Sequence, residues 1–281
     1  MPNTKRPRFS VVIPCYNEEL YIADALKSLQ KQDFTGDYEV IVVDNNSTDN
    51  TAALAKKHGA KVVHEKRPGI CWARQAGTEA AKGEIVISTD ADTTFASNWL
   101  ASIDARFLKN PKAIAVCAPC RFVDAPWWGK YYPYLLFGAV SGIAKLTGFV
   151  FYITATNTAF KKEHWSGYNT ELTQGGDELD LLRQLRHKGK VVFSNDYVVY
   201  TSSRRLDHGL WYNIFVTFGY YYISAYYVNR IFKKEVIGSA PAYRKNLLFK
   251  IPKNIKSSAK IISDRANEYR QSAAKKSRWF T

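Results

Sequence analysis

Short apolar runs alternate with stretches of helical spacing along the first third of the chain. The clearest helical stretch has Ile22, Leu26 and Leu29 at i, i+4 and i+7, which gives a helix one buried face. Two more helices are predicted, one from about Thr51 to Gly59 and one over Gly69–Lys82. The predicted strands are Phe9–Ile13, Glu39–Val43, Lys61–His64 and Ile85–Ile87. Such alternation predicts an α/β fold, a mostly parallel sheet flanked by helices.

Polar residues cluster where these strands end. Ligands of open parallel sheets bind beyond the carboxyl ends of the strands, so we expect one crevice there. The residues at the three polar ends are Pro14, Tyr16, Asn17 and Glu18, then Asp44 and Asn46, then Asp90, Ala91 and Asp92.

Asp90 and Asp92 follow the fourth strand with one small residue between them. In extended chain, side chains at i and i+2 point to the same face, so both carboxylates leave the strand on one side. That spacing suits a hard cation or a pair of hydroxyl groups. A solvated, Asp-rich turn is the alternative.

A second acidic element is the stretch Thr173–Lys190. Glu178 heads an apolar stripe that continues at i+3, i+4 and i+7, so it is expected to point inward from the first turn of a helix. A partly desolvated carboxylate can act as a general base, because burial raises its affinity for protons. Alternatively, Asp177 and Asp180 complement the helix dipole as an acidic first turn.

Neither a dinucleotide fingerprint nor a P-loop is present, so the crevice needs another mode of nucleotide binding. The chain resembles the family 2 glycosyltransferases, which have the GT-A fold. The resemblance covers roughly residues 9–207 and lies in VVIPCYNEE, VVDNNSTDNT, RPGICWARQAG, the Asp90-Ala91-Asp92 pair and GGDELDL.

The resemblance implies a role for each matching residue. Pro14, Tyr16, Asn17, Glu18 and Asp44 would line the base and ribose pocket, and Arg74 would lie near the nucleotide. Asp90 would face the ribose, and Asp92 would hold Mn²⁺ or Mg²⁺ on the diphosphate. Glu178 would be the base, with Asp177 as the alternate, because the family's Glu-Asp order is exchanged here. Gln75 stands where the family often has Asn.

A basic turn, Thr201–Gly209, follows this element. Arg204 and Arg205 could bind phosphate and His208 could be a third metal ligand; a surface basic turn is the alternative.

Composition and charge indicate what class of protein this is and where it acts. The chain has 46% hydrophobic residues, which excludes disorder, and a net charge of +15. Lys233–Thr281 carries 13 basic and three acidic residues, which suits an anionic membrane surface better than nucleic acid, with a solvated helix as the alternative. The four cysteines are expected to be reduced and structural, and no secretory signal is recognised, so a cytoplasmic location is expected.

Two aromatic, nearly uncharged runs, Tyr134–Ile153 and Trp211–Phe232, are long enough to suggest membrane spans. A crossing would put Asp92 and Glu178 on opposite sides, so spanning is rejected for an enzyme that uses both. The runs are therefore expected at the membrane interface, or else as core and walls of an acceptor pocket.

These observations predict an inverting glycosyltransferase at the cytosolic face of the membrane. It would use a UDP- or GDP-sugar and a lipid-linked or glycan acceptor. The catalytic domain is expected over 1–207, with a nucleotide-binding half at about 9–118 and an acceptor half at about 119–207, and 208–281 as a helical, aromatic and then basic extension. A nucleotidyltransferase is disfavoured because no glycine-rich, lysine-bearing loop is present. A non-catalytic basic protein binding membrane or nucleic acid is the other alternative.

Overall fold

The structure, a computed structural model, describes residues 6–171 and 177–232. Within these ranges it has ten strands and seven α-helices. The strands are β1 (Phe9–Cys15), β2 (Tyr38–Asp44), β3 (Lys61–His64), β4 (Ile85–Ser88), β5 (Thr93–Thr94), β6 (Ala113–Cys117), β7 (Cys120–Phe122), β8 (Thr158–Lys161), β9 (Lys190–Phe193) and β10 (Val199–Thr201). The helices are α1 (Ile22–Gln30), α2 (Thr51–Lys57), α3 (Ile70–Ala80), α4 (Trp99–Lys109), α5 (Trp127–Thr147), α6 (Asp177–Lys188) and α7 (Ala225–Phe232).

The main sheet has seven strands in the order β3-β2-β1-β4-β8-β6-β9. The four predicted strands form its first half as a parallel block, as the alternation indicated. Strand β8 alone among the seven runs against its neighbours, β4 and β6. Strand β1 extends past its predicted end through Pro14 to Cys15. This is possible because its pairing with β4 stops at Val12, so the proline nitrogen faces no ladder partner on that side.

Helices bury both faces of the sheet, so its strands are nearly continuous apolar runs. Phe9 and Ile13 point to one face, where they pack with the α1 and α4 side chains Leu26 and Trp99. Val12 points to the opposite face, together with Ala73 of α3, and Leu181, Leu182 and Leu185 of α6 pack on that side too. Gly77 lets α3 approach closely, because a Cβ there would lie 2.3 Å from Cγ1 of Val12.

A smaller sheet of three strands, β5-β10-β7, adjoins the carboxyl edge of the main sheet. Thr93, which follows Asp92 directly, pairs with Thr201 of β10. The smaller sheet therefore links the Asp90-Asp92 turn to β7 and to the basic turn that follows β10.

The first aromatic run lies only partly in a helix: its residues 134–147 form the second part of α5, which has 21 residues and contains Pro133, and its last six residues are not helical. The second becomes a π-helical segment, Tyr212–Ser224, continued by α7. In the described ranges, no helix has both the length and the hydropathy that crossing a bilayer requires. Residues 233–281, the predicted basic extension, lie outside the described part of the chain. The four cysteines are free and buried, as predicted.

Candidate active site

Three adjacent strands, β2, β1 and β4, end at one edge of the sheet, and the turns beyond β1 and β2 are hydrogen-bonded to each other. Asn17 has φ 53° and Asn46 has φ 64°, left-handed conformations that are uncommon for residues other than glycine. The amide nitrogen of Asn17 donates to Oγ of Ser47 at 3.0 Å, and Oδ1 of Asn17 accepts from the amide of Thr48 at 2.7 Å. Backbone conformations of this kind cluster at ligand sites.

Asp44, the last residue of β2, is a buried and oriented carboxylate. Its Oδ1 accepts from the amide of Ser47 at 3.1 Å, and its Oδ2 lies 3.1 Å from Nδ1 of His64. His64 ends β3 and pairs in register with Asp44. The carboxylate therefore sits in a fixed orientation at the rim of the crevice, where it can accept hydrogen bonds from ligand N–H or O–H groups.

Arg204 joins the turn after β1 to the turn after β4. Its Nη1 and Nη2 donate to the two carboxylate oxygens of Glu18, both at 2.8 Å. Nη2 also lies 3.1 Å from Oδ2 of Asp92, whose Oδ1 accepts from Oγ1 of Thr201 at 3.0 Å. Burial would lower the pKa of Arg204, but the two carboxylates outweigh it and raise the pKa. A permanent cation thus already stands beside the predicted metal ligand.

A second arginine, Arg74 of α3, joins the acid pair of β4 to the acidic helix α6. It is almost completely buried. Nη2 donates to Oδ1 of Asp90 at 2.8 Å, and Nη1 donates to Oδ2 of Asp177 at 2.9 Å. The second oxygen of Asp90 accepts from Oγ1 of Thr156 at 2.7 Å. One side chain therefore fixes the distance between the two acidic elements that the sequence singled out.

Both acids at the start of α6 are withdrawn from solvent. The sequence predicted Glu178 at the head of the buried stripe; Glu178 is partly buried there, and Asp177, with 6% of its surface exposed, is buried more deeply. The ion pair with Arg74 explains the burial of Asp177, because it gives that carboxylate a charged partner.

The two acids have opposite affinities for protons. Burial would raise the pKa of Asp177, but the Arg74 guanidinium holds it below its usual range. Burial, and then the Asp177 carboxylate beside it, raise the pKa of Glu178 well above its usual range. Asp177 therefore remains ionised, and Glu178 is the acid of the pair that binds a proton readily. A carboxylate of this type is suited to general-base chemistry.

Comparison with known proteins places this arrangement in a family. Residues 10–166, more than half of the chain, match the sequence profile of Glycosyl transferase family 2. The chain belongs to glycosyl transferase family 2. Its sheet of mostly parallel strands with flanking helices is the α/β fold of the GT-A type, as the motifs predicted.

The proteins similar to this family 2 member match different lengths of its chain. An uncharacterized glycosyltransferase of Mycobacterium tuberculosis is 47% identical over 83 residues, 30% of this chain and 36% of that protein. The poly(ribitol-phosphate) beta-N-acetylglucosaminyltransferase TarS of Staphylococcus aureus is 26% identical over 210 residues, 70% of this chain and 36% of that protein. The chain thus spans about a third of the length of these curated relatives.

A solved structure gives the likeness in three dimensions. The mannosyltransferase PcManGT of Pyrobaculum calidifontis, in complex with GDP-Man and Mn²⁺, superimposes with a TM-score of 0.57 at 26% identity. The match covers 71% of this chain and 58% of that one.

The carboxylates of this family 2 member fit a divalent cation by their chemistry. Asp90 and Asp92 offer hard oxygen donors, and the contact of Asp92 with Arg204 shows that its surroundings accommodate positive charge. In the described ranges, no three His, Cys, Asp or Glu side chains form a ready metal-binding group. The ring of His208, the predicted third ligand, packs against Tyr212 with 4.8 Å between centroids.

Other predicted residues of the family 2 site lie at the same edge. Tyr16 is 43% exposed, and Ala91 is buried between the two acids. Pro14 pairs with Val43 near the end of the ladder between β1 and β2. The side chain of Arg205 lies outside what the structure describes, as do residues 172–176, which include the glycines before Asp177.

Sequence reasoning missed the threonines that hold the two acids. Thr156 and Thr201 each donate to one carboxylate, and no local pattern marks either residue. His64 was also missed, although a signal existed. It ends a predicted strand beside Asp44, which is the position that had identified the other site residues.

Proposed function

We propose that this chain is an inverting glycosyltransferase that moves a sugar from a nucleotide-diphosphate sugar to a hydroxyl or phosphate of a lipid-linked or glycan acceptor. The observation that carries the proposal is the bridge from Asp90 through Arg74 to Asp177. It holds the edge predicted for the donor and the acid pair predicted for the acceptor against each other, and a transfer reaction needs both at one sugar bond.

The donor is expected at the ends of β1, β2 and β4, in the half of the chain at about 9–118. Asp44, Asn17 and Asn46 supply oriented acceptor and donor groups for a base and a ribose. The presence of GDP-Man in the similar mannosyltransferase supports a nucleotide-sugar donor. Arg204, which pairs with Glu18 and Asp92 at this edge, is proposed to contact the diphosphate.

Glu178 is the proposed base. In its ionised form it would take the proton of the acceptor hydroxyl as that oxygen attacks the anomeric carbon, while the bond to the diphosphate breaks on the opposite face. This single displacement inverts the anomeric configuration. Asp177 stays ionised through Arg74 and raises the affinity of Glu178 for the proton that it must hold. Asp177 itself is the alternate base.

Asp92, together with the diphosphate oxygens of the donor, would hold Mn²⁺ or Mg²⁺, while Asp90 would face the ribose. When bound, the cation would neutralise charge that develops on the leaving diphosphate. Mn²⁺ in the similar mannosyltransferase structure supports this assignment.

The acceptor is expected against the half at about 119–207, at the cytosolic face of a membrane. The name of TarS refers to transfer to poly(ribitol-phosphate), a glycan acceptor, which supports an acceptor of that class. The many exposed aromatic side chains of the second half support a membrane location. Peripheral association, rather than a span, agrees with the placement of Asp92 and Glu178 on one fold.

The test is nucleotide release from a panel of UDP-, GDP- and dTDP-sugars, with Mn²⁺ and with a chelator. We expect release from one nucleotide class, dependent on the cation and abolished in Asp92→Ala. No release from any donor contradicts a transferase role. Release that is indifferent to the chelator contradicts the metal assignment only.

A further inference from the structure

Helix α5 packs on the fold through one narrow stripe and leaves a broad apolar face uncovered. Gly129, Pro133, Phe137, Val140 and Ser141 form the buried stripe. The opposite side of the helix carries large apolar side chains, and the two most exposed leucines are Leu135 at 75% and Leu146 at 87%. The other large exposed residues on or next to the helix are Trp127, Tyr131, Tyr132, Tyr134, Ile143 and Phe149. A surface helix of a globular domain normally presents polar residues there.

All the charged residues of α5 are positive. Helix α5 contains no acidic residue, and its two charged residues, Lys130 and Lys145, are exposed. Arg121 lies over the ring of Tyr134 at 4.4 Å, and Arg186 lies over the ring of Phe149 at 4.5 Å. Cations therefore border the apolar face toward both of its ends.

The chemistry of the face matches an anionic bilayer. Trp and Tyr prefer the headgroup level of a membrane, where the ring is apolar and the polar atom stays hydrated. Leucines between them reach the acyl boundary, and Lys and Arg pair with lipid phosphates. A second copy of this strongly basic chain would bring like charges together, which disfavours it as the occupant.

The first turn of α5 lies next to the candidate active site. Gly129, in the first turn of α5, is so close to Leu206 that a Cβ there would lie 2.5 Å from its Cδ1. Leu206 belongs to the short helical turn Arg204–His208, and Arg204 is the residue that pairs with Asp92. A bilayer on the outward face of α5 would therefore be separated from the segment that borders the crevice by this one helix.

We infer that the outward face of α5 docks onto the surface of an anionic lipid bilayer and presents the active site to a lipid-linked acceptor. The docking itself stands on the exposed side chains and charges of α5, whereas the identity of the acceptor rests on the proposed function. Docking leaves the sheet and the crevice unchanged, because the residues that contact lipid are not those that pack on the fold.

The experiment is co-sedimentation of the full chain with vesicles of phosphatidylcholine alone and with added phosphatidylglycerol. The variants are Leu135→Glu and Leu146→Glu, which place a negative charge on the face without touching the buried stripe. Leu108→Glu is the matched control, because Leu108 is 68% exposed on a different helix, α4. Donor hydrolysis without lipid is measured for each protein.

We expect the wild type to bind the phosphatidylglycerol vesicles, each α5 variant to bind them at least about tenfold more weakly, and Leu108→Glu to bind like the wild type. Donor hydrolysis should be the same in all four proteins. Unchanged vesicle binding in both α5 variants would overturn the inference, as would wild-type binding that is equal on neutral vesicles. If the α5 variants lose self-association and keep their lipid binding, the face binds a second copy of the chain and not a bilayer. Absence of donor hydrolysis in every protein contradicts the proposed function alone.

Discussion

Arg74 and Asp177 lie far apart in the chain, yet Nη1 of the arginine donates to Oδ2 of the aspartate at 2.9 Å inside the fold. The same arginine also binds Asp90. Burial would lower the pKa of Arg74, but the carboxylates of Asp177 and Asp90 raise it, so the cation is permanent. The state of the acid pair on α6 therefore depends on a residue of α3.

This relationship predicts a pH dependence with two opposite shifts. Burial and Asp177 raise the pKa of Glu178, whereas Arg74 lowers it. Because the base must be ionised, activity should rise with pH at values above those of an ordinary glutamate. Asp177→Asn removes the neighbouring anion and should move this acid limb of kcat/KM to lower pH. Arg74→Met removes the cation and should move it to higher pH.

The matched control for the pH profiles is Arg74→Lys, which keeps a cation and should keep the limb near its wild-type position. Arg74→Met leaves the buried Asp177 carboxylate without its cation, so the free energy of unfolding should fall by about 3–5 kcal/mol. The pH profiles are best taken well below the melting temperature of this variant. If the acid limbs of the wild type, Asp177→Asn and Arg74→Met coincide, the coupling between Arg74, Asp177 and Glu178 is contradicted.

Glu178→Gln should bind nucleotide but transfer almost no sugar. The amide keeps the shape of the side chain and removes its ability to accept a proton, so kcat should fall by about 10²–10⁴-fold. Nucleotide affinity, measured by calorimetry, should change little. Normal transfer in Glu178→Gln together with lost transfer in Asp177→Asn would assign the base to Asp177.

Arg204→Gln should bind Mn²⁺ more tightly than the wild type in the absence of a donor. The substitution removes a cation that lies 3.1 Å from Oδ2 of Asp92, so the carboxylate is released for the metal. The pair is only slightly exposed, and a gain of about 1 kcal/mol, or roughly fivefold in affinity, is expected. Direct titration followed by Mn²⁺ electron paramagnetic resonance measures it. Asp92→Asn is the control and should lose the site; equal affinity in wild type and Arg204→Gln would show that Arg204 does not compete with the metal.

Gly77→Ala should destabilise the fold. The added Cβ would lie 2.3 Å from Cγ1 of Val12 and 2.8 Å from Cγ2 of Val43, so α3 must move away from the sheet. Overpacking of this kind costs about 1–3 kcal/mol in the free energy of unfolding, measurable by urea denaturation. Gly138→Ala in α5 is the counterpart, because nothing lies within 4 Å of the new Cβ and alanine favours a helix, so stability should rise slightly. If Gly138→Ala loses stability as Gly77→Ala does, the backbone of α5 is strained at residue 138.

The first half of the chain, up to about residue 118, could be predicted from the sequence because its signals are local. Each strand is a compact apolar run, and each run ends in polar residues that the parallel arrangement brings to one edge. The second half gave weaker signals. Strand β8 has only four residues and pairs with β4 and β6, neither of which is next to it in the chain, so no turn between partners announces it.

The pairings of the site were not predictable for a related reason. Nothing near Arg74 in the sequence indicates that it will meet Asp177 of α6 rather than the nucleotide alone. The position of Asp177 and Glu178 depends on the rotation of α6, in which one residue corresponds to about 100°. Apolar spacing could not fix that rotation, because Leu181, Leu182 and Leu185 allow either acid at the head of the stripe. The buried ion pair decides between them.

The reversed strand β8 has a consequence for how new specificities could arise in this chain. Strand β6 ends at Cys117 and β8 begins at Thr158, and these two residues are paired across the ladder. The intervening chain, which includes α5, thus departs from and returns to nearly the same point beside the crevice. Insertions at the exposed positions of this segment are therefore expected to disturb the strands at the crevice less than deletions, because Phe137, Val140 and Ile153 of the same segment pack in the core.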